Sequence, residues 1–99
     1  MGQPTAEQEV VIINAQGLHM RPADLFARLA SKFQCDVEVE NGGKCVDGKS
    51  IMDLITLAAT QGTKLLIRTR GDDAESAIEA LVDLVSHEFP SEEAVDKTT

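Results

Sequence analysis

The chain is poor in cations: nine Lys and Arg stand against 17 Asp and Glu, a formal net charge of −8 over 99 residues. Binding to a phosphodiester backbone is driven by clustered basic side chains, so the acidic balance disfavours nucleic acid and no such partner is expected. Cysteine is scarce as well. Cys35 and Cys45 are too few for a disulfide-built scaffold, and with His19 and His87 they show no zinc-ligand spacing. No metal or other cofactor is expected, and both thiols are expected to be reduced and to lie on strands. No apolar run reaches about 18 residues, so no segment is expected to span a bilayer. Residues 1–8 lack the basic and apolar regions of a signal peptide. Ala6 stands where a myristoylation motif needs Ser or Thr. The expectation is a cytoplasmic protein. Hydrophobic residues make up 42% of the chain, enough for a folded core, and the length suits one domain.

Residues 9–15 hold Val10, Val11, Ile12 and Ile13, a β-branched run that predicts a buried or central strand. After a loop at 16–19, Pro22 falls where a helix tolerates proline, in the first turn. Phe26, Leu29, Ala30 and Phe33 recur at helical spacing and predict a helix over 21–32. Residues 35–40 alternate at period two, as a strand with one wet face does. Asn41-Gly42-Gly43 is a turn signal, and 44–47 can return as the second half of a hairpin. Ser50 opens a short helix, Gln61-Gly62 closes that region, and 64–70 read as another strand. Asp72 or Asp73 is expected to cap a last helix with the stripe Ala74, Ile78, Leu81, Val82, Val85 and Phe89. The order is β-α-β-β-α-β-α, with neither repeat nor linker. The central hairpin rules out an all-parallel sheet, so the class is α+β: an antiparallel sheet covered by helices on one face. The expected organisation is a flexible N-terminus over 1–8, the domain over 9–89 and a flexible acidic tail over 90–99.

The segment Gly17-Leu18-His19-Met20-Arg21-Pro22-Ala23 sets a histidine just ahead of a helix, with an arginine one step inside. A helix N-terminus has unpaired N–H groups and a positive dipole end, which suits an anion. A neutral imidazole is a nucleophile. If His19 took a phosphoryl group, Arg21 and the helix N–H groups would balance the incoming charge. An exposed loop histidine beside a surface arginine has the same signature, so residue types alone leave both readings open.

Gly43-Lys44-Cys45-Val46-Asp47-Gly48-Lys49-Ser50 matches G-x-x-x-x-G-K-[ST] letter for letter. The context is wrong for a nucleotide-binding P-loop: 44–47 read as strand, the helix that follows is short, and no Walker-B run appears downstream. Nucleotide binding through these residues is the remote alternative. Ser50-Ile51-Met52-Asp53 fits a capping box, so the Ser50 hydroxyl is expected to cap the short helix. Phosphorylation there would place charge at a helix N-terminus, favoured by Lys49 and opposed by Asp53. Met52 and Ile55 form an apolar group that such a brief helix cannot wholly bury, leaving part of it for a partner. His87 is expected at the surface, near the C-terminal dipole of the last helix.

Taken together, the His19 segment and Gly48-Lys49-Ser50-Ile51-Met52 resemble HPr, the histidine-containing phosphocarrier of the bacterial phosphotransferase system. The resemblance covers residues 9–89 and implies an open-faced β-sandwich, a four-stranded antiparallel sheet with three helices on one face. It implies that His19 accepts phosphate at Nδ1 from enzyme I, itself charged by phosphoenolpyruvate, and passes it to an enzyme IIA. It implies that Arg21 is the active-site arginine and Ser50 the serine modified by an HPr kinase/phosphorylase, with Ile51 and Met52 as neighbouring docking residues, to which the apolar group on the short helix adds Ile55. The protein would be a monomeric carrier and not an enzyme. A regulatory paralogue in a nitrogen-type or kinase-linked chain, without sugar transport, is the alternative. Gln16 stands where the family often has a smaller residue. Ile55 and Ala58 replace the methionine and glycine typical of members that co-repress catabolite genes.

Overall fold

Alternation at period two marks only the end of the first strand of the computed structural model, which describes residues 2–87 and Phe89. In β1 (Thr5–Val11) and the residues after it, Val10 and Ile12 point into the core. Val11 and Ile13 keep 41% and 42% of their surface exposed. The sheet order is β1-β4-β2-β3 and every pairing is antiparallel, so β1 is an edge strand and not a central one. It also starts earlier than the β-branched run: Thr5 pairs with Arg70 and Gln8 with Ile67. Residues 5–8 therefore belong to the sheet and not to a flexible N-terminus. Main-chain pairing does not depend on apolar side chains, so the polar stretch carried no periodic signal.

β2 (Asp36–Asn41) and β3 (Lys44–Asp47) form the expected hairpin. β4 (Lys64–Arg70) lies between β1 and β2, with Leu65, Ile67 and Thr69 buried on its inner face. The outer face is polar. There Arg68 meets Glu7, Glu38 and Glu40, each at 3.2 Å. The acidic half of the β2 alternation thus serves the open face through one arginine. Exposed ion pairs contribute little to stability, and specify the strand register more than they hold it.

The inner face is covered by α1 (Met20–Ser31), α2 (Ile51–Thr56) and α3 (Ala74–Ser86). Phe26, Ala27 and Ala30 of α1 and Ala77, Ile78, Leu81 and Val85 of α3 are buried against the sheet. Phe89 joins the same core. Asp73 precedes α3 but makes no side-chain cap; its carboxylate accepts the N–H groups of Gln34 at 2.8 Å and Cys35 at 2.9 Å. These bonds, the Gln34 N–H foremost, hold its pKa below the usual carboxylate range. Cys35 lies just before β2, buried, while Cys45 is exposed on β3; both are free thiols. Burial pushes the Cys35 thiol pKa up. His87, exposed at the end of α3, sets Nδ1 2.8 Å from the Asp83 carbonyl oxygen. Among the described residues no helix is long and apolar enough to cross a membrane. The expected acidic tail, 90–99, lies outside the described residues.

Candidate functional site

The head of α1 is held by a short loop. Gly17 has φ +74°, and a Cβ on it would lie 2.4 Å from the Ala59 carbonyl oxygen, so only glycine fits. The next N–H, that of Leu18, bonds the same Ala59 oxygen at 2.8 Å. His19 follows as the N-cap of α1 in extended conformation, and its carbonyl accepts the Ala23 N–H at 2.9 Å. Its imidazole makes no cap bond and is exposed. The backbone alone does the capping and leaves the ring for other chemistry. Pro22, in the first turn, needs no donor there. No acidic residue lies in that turn to offset the positive end of the helix. A groove of about 240 Å³ runs along this end, lined by His19, Arg21, Asn14, Gln16 and Leu25 among others. His19 and Arg21 both line this one concavity.

Ser50 is the N-cap of α2, and its Oγ accepts the Asp53 N–H at 3.2 Å. The preceding Gly48 is pressed against Val37: a Cβ there would lie 2.5 Å from Val37 Cγ1. Lys49 sends its ammonium to the Phe33 carbonyl just past α1, at 2.9 Å. The other end of α2 runs into Ala59, which bonds Leu18 at the start of α1. Helices α1 and α2 are therefore antiparallel neighbours, with His19 and Ser50 at opposite ends of the pair. Residues 43–50 build no phosphate-cradling loop. Lys44–Asp47 are β3, an antiparallel edge strand, and the lysine of the motif is spent on α1.

Between the two ends lie the apolar side chains of α2. Met52 keeps 67% of its surface exposed, whereas Ile51 and Ile55 are partly buried against the core. Met20, directly after His19, is a second exposed methionine, with 58% of its surface open. Sequence reading passed over Met20 because it falls outside the helical stripe. It also passed over Asn14, whose amide bonds the Gly17 carbonyl at 2.6 Å. An asparagine ahead of a glycine turn was the available signal. A larger groove of about 830 Å³ lies on the open sheet side, lined by Glu7, Glu38 and Arg68 among others, and includes no histidine.

The family model for the PTS HPr component phosphorylation site matches residues 6–87. The phosphocarrier protein HPr of Pseudomonas aeruginosa is 45% identical over 82 residues, covering 82% of this chain and 91% of that protein. A crystal structure of HPr from Thermoanaerobacter tengcongensis superposes with a TM-score of 0.82 at 45% identity, covering 85% of this chain and 94% of the other. A crystal structure of an HPr dimer from the same organism gives 0.70 at 45% identity, over 83% and 94%. Both motifs lie within the matched residues 6–87, which take in nearly the whole described chain, and the protein belongs to the HPr family, the phosphocarriers of the phosphotransferase system.

Proposed function

We propose that His19 is the phosphoryl acceptor of this carrier, charged by phospho-enzyme I and discharged to enzyme IIA components of the sugar phosphotransferase system. The observation that carries this is the exposed His19 ring, left out of capping at the positive end of α1, in one groove with Arg21. In the transfer a ring nitrogen, Nδ1 by family resemblance, uses its lone pair to form an N–P bond as the donor's bond to phosphorus breaks. Arg21 and the first-turn N–H groups balance the charge on the phosphoryl oxygens. The return step reverses these changes, so the protein carries the group and catalyses nothing by itself. Met20, Met52 and the partly buried Ile51 and Ile55 form the apolar surface on which cytoplasmic partners dock. The carrier works as a monomer in this reading. Ser50 is the site for an HPr kinase/phosphorylase, where added charge borders the exposed Met52.

Phosphoenolpyruvate and enzyme I should add one acid-labile, alkali-stable phosphate to the wild-type protein and none to His19→Ala. Labelling that persisted in His19→Ala would move the acceptor elsewhere and end this reading.

A further inference from the structure

Resting on the reading of His19 as acceptor, we infer that Asn14 is a positioning residue for that transfer, clamping the peptide from which His19 is hung. Asn14 holds Gly17 from both sides. Its main-chain oxygen accepts the Gly17 N–H at 3.1 Å, and its side-chain Nδ2 donates to the Gly17 carbonyl at 2.6 Å. The same Gly17 carbonyl accepts the His19 N–H at 3.1 Å. One oxygen therefore joins the Asn14 amide to the acceptor's own backbone. On the far side the Ala59 carbonyl bonds the Leu18 N–H at 2.8 Å and lies so close to Gly17 that a Cβ there would meet it at 2.4 Å. With the ring itself making no cap bond, the direction of His19 is set by its backbone, and its backbone is set by this clamp.

The other end of the amide makes a purely stabilising role a poor account. Asn14 Oδ1 is buried and has no hydrogen-bond partner among the described residues. A buried acceptor without a partner opposes folding, so the amide offsets with one atom part of what it contributes with the other. The orientation is settled by the Gly17 bond, because a flipped amide would set two oxygens against each other. Asn14 also lines the groove shared by His19 and Arg21. A residue that gives up stability to hold the segment bearing the nucleophile is characteristic of a site arranged for geometry.

The experiment compares Asn14→Ala, Asn14→Asp and Thr69→Val with the wild type. Thr69 is the control: its buried hydroxyl donates to the Ala74 carbonyl at 2.9 Å, remote from the groove. Its loss tests whether destabilisation alone slows transfer. Transfer from phosphorylated enzyme I is followed at a temperature where far-UV circular dichroism shows every variant folded. Asn14→Ala and Asn14→Asp should each lower the rate at saturating carrier about tenfold, with KM unchanged within about twofold, because looser positioning acts on the reacting geometry and not on docking. Thr69→Val should transfer at the wild-type rate. Nitrogen-15 spectra of the His19 ring should broaden in the two Asn14 variants and stay sharp in Thr69→Val. Wild-type kcat in either Asn14 variant, or an equal loss in Thr69→Val, overturns the inference. Labelling of the wild type that His19→Ala abolishes shows in the same assay that the acceptor reading stands in either case.

Discussion

Replacing Ser50 separates what its hydroxyl does for the fold from what a charge there does to docking. Losing a serine N-cap to alanine costs about 0.5–2 kcal/mol. Two features place this site in the lower part of that range. The cap bond is long, at 3.2 Å, and α2 is held from below by Leu54, which is wholly buried. The expected loss is about 0.5–1 kcal/mol, a fall in Tm of about 2–8 °C for a domain of this size. Ser50→Asp keeps an acceptor oxygen at the cap and adds negative charge at the positive end of the helix. Asp53 in the first turn opposes that charge, so the variant should melt between Ser50→Ala and the wild type. Denaturant and thermal unfolding followed by circular dichroism measure both, with an unchanged m-value as the check that only stability moved. Transfer from phospho-enzyme I should be unaffected in Ser50→Ala, since His19 lies at the other end of the helix pair. In Ser50→Asp the KM for the carrier should rise while kcat holds, because the new charge borders Met52 and not the histidine. An alanine variant as stable as the wild type would refute the cap. A wild-type KM in Ser50→Asp would leave capping as the only role of this residue.

Gly17→Ala should destabilise by about 2–5 kcal/mol, combining the left-handed backbone with overpacking, because the new Cβ would meet main-chain atoms of Ala59 and Thr60 at 2.4 and 2.9 Å. A loss below about 1 kcal/mol in chemical denaturation would contradict that contact. Arg21→Ala should slow transfer in both directions and change stability by less than about 1 kcal/mol, as expected of an exposed arginine; unchanged rates would remove Arg21 from the site. Asp73 has a folded pKa below its unfolded value, so its contribution is complete above about pH 4 and disappears as pH falls through the folded pKa. The stability difference between wild type and Asp73→Asn should therefore be largest near pH 7 and shrink below pH 4 or so; a gap undiminished at pH 2 would show that the carboxylate charge is irrelevant to the bonds with Gln34 and Cys35.

What the amino-acid sequence determined unaided is whatever rests on near neighbours in the chain. The stripe of Phe26 and Ala30, the alternation of Val37 and Val39, the Ser50 cap and the place of His19 at the head of α1 depend on residues two to four apart, and each is legible for that reason. The α+β class followed, because a hairpin between two helical segments leaves few topologies. Features that join distant parts of the chain carried no such signal. Only the fold makes β1 an edge strand that begins at Thr5, since main-chain pairing with β4 needs no apolar side chain. Only the fold gathers Glu7, Glu38 and Glu40 onto Arg68, or turns Asp73 away from capping α3 and toward the Gln34 and Cys35 amides. The P-loop letters failed for the same reason: Lys49 reaches the end of α1 because α2 packs antiparallel to it, and that packing also sets His19 and Ser50 apart. Local propensity names the residues that can act. Long-range packing of backbone and charge decides which of them share a surface.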